Sequence, residues 1–172
     1  MLWGIVPYWG KFASNRIINA RSETVFRKVT FKDAILERRC IIPVDGYFEW
    51  DNTKGDKQPY RIFSKNNELL LLAGLWNKPS HNSRDSIGSF AIITTVANSK
   101  LSTLHCRMPV ILRPEDAKYW LQQDLKEHEI IQFLKPANSD NMDFYAVSKY
   151  VNTVTNDNID CIAPSLLSND LL

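Results

Sequence analysis

Ile41-Ile42-Pro43-Val44-Asp45-Gly46-Tyr47-Phe48-Glu49-Trp50 is a run of β-branched and aromatic residues, and its reading decides the class of fold. Such residues suit a pleated, half-buried surface, so the run predicts a strand. Pro43 stands near its start, where a missing N–H does least harm. On that strand Asp45, Tyr47 and Glu49 share one face, and Phe48 and Trp50 point the other way. Working outward, 30–39 reads as a helix. Thr30 is placed to cap it, with Asp33 three residues on, and Phe31, Ala34 and Ile35 share a face. On the other side, 51–57 is a polar hairpin loop with Gly55 at its turn. Strands are predicted over 58–63, 69–76, 89–95, 107–112 and 144–147, with a polar surface loop at 79–86. Pro114 opens a helix, Glu115 and Asp116 favouring its positive end. A second helix spans 125–134, with Ile130, Ile131, Phe133 and Leu134 as its apolar set. Strands thus dominate, with few helices between them. The class is α+β, mainly antiparallel β, a barrel-like sheet with a few peripheral helices.

Composition narrows the function classes. The 172 residues are 44% hydrophobic and 23% charged, as in an ordinary soluble domain, which excludes disorder, collagen-like repeats and coiled coil as the main state. One domain is expected over 1–156, followed by a polar tail at 157–172 with the composition of a disordered segment. The formal net charge of +2 means that any polyanion site is a local patch. Cys40, Cys106 and Cys161 show no paired spacing, which argues for a reducing compartment and against a disulfide framework. With His81, His105 and His128 they form no zinc-ligand pattern, so no metal and no cofactor are expected. The longest apolar run, 69–76, is far short of the ~20 residues of a membrane span. The apolar start lacks the marks of a signal peptide. A cytoplasmic or nuclear-type monomer with no membrane partner follows.

Three places carry residues fit for chemistry. Glu49, set among Tyr and Trp rings, would be desolvated, which raises a carboxyl pKa and suits a general acid or base. On position alone, a Glu on a solvated strand face, paired with a nearby Lys or Arg, is the commoner outcome. His105 in Leu104-His105-Cys106-Arg107-Met108-Pro109 lies in a loop between apolar strands, where an imidazole can shuttle protons and Arg107 can grip a phosphate. A satisfied buried His and a surface Arg would look the same. Cys106 adjoins His105, but neighbours on an extended chain point apart, so His105 would not activate it. Asn19-Ala20-Arg21-Ser22-Glu23-Thr24 is a polar cluster in which Asn19 can fix a carbonyl or hydroxyl. There Arg21 with Glu23 can form a phosphate grip, or the cluster is a turn with a helix cap. Trp3, Trp9 and Trp50 can stack on bases or pack in the core.

In order along the chain, these segments resemble the SRAP family, the abasic-site processing proteins that crosslink to single-stranded DNA. The matching blocks run from Trp3-Gly4-Ile5-Val6-Pro7-Tyr8-Trp9 through Asn19-Ala20-Arg21-Ser22-Glu23-Thr24 and the 39–50 stretch. Pro59-Tyr60, Ala73-Gly74-Leu75-Trp76, Ile93-Thr94-Thr95-Val96-Ala97 and His105-Cys106-Arg107-Met108-Pro109-Val110 follow. The resemblance implies a partner, single-stranded DNA containing abasic sites, and a reaction in which an N-terminal cysteine captures the ring-opened sugar as a thiazolidine. It implies that Asn19 orients the sugar, Glu49 transfers protons and His105 assists ring opening and reversal. Arg21, Thr94 and Arg107 would hold phosphates, and Trp3 would line the strand's path. Members carry lyase and autopeptidase activity, act in the DNA damage response and are found with the nucleoid or in the nucleus. Leu2 stands where a Met-Cys start would be expected, and the segment preceding the Trp-Gly block has no counterpart. An N-terminally incomplete domain is therefore expected, with binding but no crosslinking as the alternative activity.

Overall fold

The computed structural model describes residues 1–7, 16–51, 57–79 and 87–165. Trp9, the Gly55 turn, most of the 79–86 loop with His81, and 166–172 lie outside the described residues. Along the chain the strands are β1 (Leu2–Trp3), β2 (Asn19–Arg21), β3 (Arg39–Val44), β4 (Tyr47–Asp51), β5 (Gln58–Ser64), β6 (Leu70–Asn77), β7 (Ser89–Val96), β8 (Arg107–Pro109), β9 (Ile111–Leu112) and β10 (Met142–Ala146). The helices are α1 (Lys32–Glu37), α2 (Pro114–Trp120) and α3 (Glu127–Ile130). Contacts divide the chain into two compact units, each built from three separate stretches.

The first unit comprises Met1–Pro43, Leu71–Val96 and Arg107–Ala137. Its sheet runs β1-β7-β6-β3, with β2 and β8 also on β7 and β9 on β6. Strand β7 is the axis because Ala91, Ile93, Thr94 and Thr95 are all buried, as expected of a strand covered on both faces. Most pairings are antiparallel, as the sequence predicts, but β1 and β2 lie parallel to β7. Both reach the same edge of β7, the chain leaving at Ile5 and returning at Ile17, which pair antiparallel. The single strand expected over 107–112 is two. Residues 107–109 pair with β7 and 111–112 with β6. Val110 joins them, donating its N–H to Ile93 O at 2.8 Å and accepting from Ala73 N at 2.9 Å. Among the described residues the sheet does not close, so barrel-like holds only loosely.

Helices cover this sheet through one apolar core that includes Phe31, Ala34, Ile35, Trp120 and Ile130. The α1 face is as predicted, but its start is not. The helix begins at Lys32 after Phe31, and Thr30 makes no cap. A preceding turn takes that role, since Phe31 N and Lys32 N both donate to Lys28 O. Likewise α3 is one turn tightening into a 3-10 turn at Ile131–Phe133, which leaves Ile131 44% exposed instead of in the apolar set. Buried Arg39 closes the far ends of α1 and α2. Its guanidinium donates to the carbonyls of Ile35, Leu36, Trp120 and Gln122, groups a helix C-terminus leaves unpaired.

The second unit comprises Val44–Leu70, Ala97–Cys106 and Asn138–Leu172. Its sheet is β10-β5-β4, antiparallel throughout. The decisive 41–50 run is thus not one strand but β3 and β4, parted at Asp45-Gly46. A Cβ on Gly46 would lie 2.7 Å from Ile62 O, so only glycine lets the backbone come this close to β5. Arg61 holds the corner, its Nη2 being 3.2 Å from an Asp45 carboxylate oxygen. Within the tail expected from 157, the described residues 157–165 carry defined structure. Asn158 caps a 3-10 helix at Ile159–Ile162, Cys161 is buried, and Tyr145 OH donates to Ile162 O at 2.7 Å.

Candidate functional site

The candidate side chains fall into two clusters, one on each unit. In the first unit β2 alternates, with Ala20 buried and Asn19 and Arg21 exposed, as the pleat of a strand requires. Arg21 stands opposite Thr94 in the parallel register with β7. The chain then turns, Ser22 N donating to Thr94 O at 2.8 Å, which carries Glu23 towards β8. There Arg107, first residue of β8, donates from Nη1 and Nη2 to the two Glu23 carboxylate oxygens, both at 3.0 Å. The same guanidinium donates to Thr94 O at 2.7 Å and to Thr94 Oγ1 at 3.3 Å. Arg107, not Arg21, is therefore the partner of Glu23. The Arg21 side chain has no hydrogen bond or ion pair among the described residues. The Arg107 hydrogen bonds hold the Glu23 carboxyl below the usual carboxylate range.

Thr94 is buried at 8% exposure, and its oxygens serve Arg107 while its hydroxyl proton remains available to donate. Trp3 is 50% exposed on β1, with its indole N–H on Ile18 O at 3.1 Å. Fixed by that bond with its ring partly in solvent, Trp3 has the form of a stacking platform.

In the second unit β4 presents Tyr47, Glu49 and Asp51 on the face that carries Ile62 and Tyr60 of β5, because directly paired residues of a sheet share a face. Ile62 is 1% exposed, so this is the inner face and Glu49 stands at its rim. The loop 97–106 covers the same unit with Leu101 and Leu104 buried, and it closes on itself through Ala97 N to Cys106 O at 3.0 Å. That loop brings His105 Nδ1 to 3.8 Å from Glu49 Oε2, the side chains being 36% and 25% exposed. The partner of Glu49 is thus an imidazole and not the Lys or Arg of a solvated face. His105 is half-buried while Cys106 is exposed, the opposite outlook expected of neighbours. Glu49 also accepts from Trp50 N at 3.2 Å. Trp50 itself is tied, its indole N–H donating to Asn152 at 2.8 Å, a contact without any sequence signal.

All three cysteines are free thiols, and burial pushes Cys40 up to about 11. Among the described residues no group of His, Cys, Asp and Glu is disposed to hold a metal ion, and no helix is long and apolar enough to cross a membrane. Chemically, one cluster presents guanidinium groups with a fixed fork, and the other presents a proton donor and acceptor in partly dry surroundings.

The chain as a whole is similar to known proteins. Residues 1–154 match the model of the family described as SOS response associated peptidase (SRAP). The abasic site processing protein YoqW of Bacillus subtilis (strain 168) is 37% identical over 167 residues, covering 93% of this chain and 73% of its own. The abasic site processing protein HMCES of Gallus gallus is 32% identical over 193 residues, covering 95% of this chain and 56% of its own. A crystal structure of a protein from Bacteroides thetaiotaomicron superimposes with a TM-score of 0.86 at 31% identity, covering 95% of this chain and 75% of that one.

Proposed function

The chain belongs to the SRAP family, and from that premise we propose that it processes abasic sites in single-stranded DNA. The proposed reaction captures the ring-opened sugar. An amine adds to the C1 aldehyde, water leaves as the imine forms, and a neighbouring thiol closes on the imine carbon to give a thiazolidine. The balance is aldehyde plus amine plus thiol giving thiazolidine plus one water. Ring opening and loss of water each need a proton delivered, and formation of the imine needs one removed. Glu49 and His105 supply that donor and acceptor. Asn19 orients the sugar, Arg21, Thr94 and Arg107 hold phosphates, and Trp3 stacks along the strand. DNA contacts of this kind are local, so a net charge of +2 suffices.

The observation that carries the proposal is the half-buried Glu49 facing His105 at 3.8 Å. Catalytic hydrogen bonds of free enzymes are often long and tighten once substrate is bound. A thiazolidine also requires a thiol beside a free α-amine, a pairing that an internal cysteine such as Cys40, Cys106 or Cys161 does not offer. A second reading is that these 172 residues bind abasic DNA without covalent capture.

The experiment is adduct formation on an abasic single-stranded oligonucleotide, read by mass spectrometry. It uses the chain as it stands and the chain preceded by a segment that starts Met-Cys. The expected result is salt-sensitive binding from the first and an adduct of the dehydrated mass from the second. An adduct from the first at an internal cysteine would overturn the thiazolidine route. Neither binding nor adduct from either form would overturn the function.

A further inference from the structure

Tyr47 carries a buried hydroxyl with no hydrogen-bond partner, the one such side-chain atom among the described residues. Buried hydroxyls are almost always bonded, so an orphan calls for an explanation. Tyr47 lies two residues before Glu49 on the same face of β4. Glu49 is itself under-bonded. A carboxylate accepts about four hydrogen bonds. This one has Trp50 N at 3.2 Å and His105 Nδ1 at 3.8 Å, and the second distance is too long for a hydrogen bond. A donor without an acceptor therefore stands two residues along the same strand face from an acceptor short of donors. The other titratable groups facing Glu49 are His105 from the 97–106 loop, Tyr60 directly opposite on β5, and Asp51 further along β4. Burial, with the Glu49 charge adding to it, pushes the Tyr47 hydroxyl above the ordinary tyrosine range, so it remains an O–H donor at every working pH.

We propose that Tyr47 is a positioning residue whose hydroxyl is a donor held in reserve for Glu49, engaged when His105 turns from the carboxylate to the sugar. The exchange is a rotation about the Glu49 side-chain bonds. Without it, Glu49 would lose the imidazole and keep only the Trp50 N–H. With it, the carboxylate keeps a side-chain donor while it takes the amine proton. The catalytic meaning of this exchange rests on the function proposed above, but the hydrogen bond does not.

Two measurements on the whole chain test it. The first follows the Glu49 side-chain carbonyl carbon by NMR through a pH titration of the free protein, as parent, Tyr47→Phe, His105→Gln and the double variant. Loss of a donor raises a carboxylate pKa. Tyr47→Phe should leave the Glu49 midpoint unmoved in the parent and raise it by about one pH unit in the His105→Gln background. No rise in that background overturns the proposal. Tyr47→Phe keeps the ring and removes a hydroxyl with no bond to lose, so its Tm should equal or exceed the parent's. The second is the pH dependence of the adduct rate in the Met-Cys-preceded form. There Tyr47→Phe should move the acid limb upward, and an unmoved limb also overturns the proposal, since a merely structural tyrosine would leave it in place. If the Met-Cys-preceded parent forms no adduct, the covalent route proposed above falls, while the titration still decides whether Tyr47 bonds Glu49.

Discussion

The Arg107 guanidinium is held by Glu23 and Thr94 through hydrogen bonds none longer than 3.3 Å. Glu49 and His105 face each other at 3.8 Å, and the Tyr47 hydroxyl beside them has no partner. Each cluster joins a strand residue, Arg107 or Glu49, to one outside the strands, Glu23 or His105, so scaffold rigidity does not account for the contrast. The difference lies in the work each is suited to. A guanidinium that receives a phosphate must already point the right way, and a bidentate carboxylate fixes its plane. The same carboxylate neutralises it, so an incoming phosphate must displace or share Glu23. Groups that move protons cannot be saturated beforehand, because their hydrogen bonds form and break during the reaction.

That contrast can be broken experimentally. The largest effect is expected of Glu49→Gln in the Met-Cys-preceded form. Adduct formation should slow by about 10²–10⁴-fold, while binding to single-stranded DNA, followed by fluorescence anisotropy, changes less than about twofold. If Glu49→Gln weakens binding as much as Arg107→Ala does, the division of labour collapses. Arg107→Ala should weaken that binding by about tenfold and lower the salt slope by about 0.7, one phosphate contact on a single strand. Glu23→Gln goes the other way. With its neutralising carboxylate gone, Arg107 should bind a few-fold more tightly and with a steeper salt slope.

The smallest effect is on stability. The Glu23 carboxyl is held below its ordinary value of 4.5 by its Arg107 hydrogen bonds. A depressed pKa stabilises the fold above the unfolded value, and that contribution is lost as pH falls through the folded one. Glu23 is 47% exposed, so the amount is under about 1 kcal/mol. The Tm gap between parent and Glu23→Gln should narrow between pH 6 and pH 3, as read by calorimetry. A constant gap would mean that the ion pair has no part in stability.

Much of this was legible in the sequence because strands and candidate residues are local signals. Alternation and β-branching mark β5, β6 and β7 to within a residue or two, and the α1 face follows from the spacing of Phe31, Ala34 and Ile35. The breaks were not legible. Gly46 parts β3 from β4 because of a carbonyl on β5, and Val110 changes partner because β6 and β7 both need its backbone. Both causes lie far away along the chain. The parallel pairing of β1 and β2 has the same origin. At the site, Asn19, Glu49, His105 and Arg107 could be singled out by type and setting. That Glu23 belongs to Arg107 depends on a contact 84 residues apart. The Trp50–Asn152 bond spans 102. No periodicity carries that kind of information.

The interleaving of the two units has a consequence for how the chain folds as it is made. The unit built on β7 needs Arg107–Ala137, and the one built on β5 needs Asn138 onward for its outer strand. Neither can finish while the ribosome is still reading the middle of the message. At about 5–20 residues per second, finished β6 and β7 wait roughly 1–3 seconds for the residues around Val110 that pair with both. During that interval two long apolar strands have unpaired edges, the condition under which chains associate with one another. Fragments cut at either unit's sequence boundaries should therefore not fold.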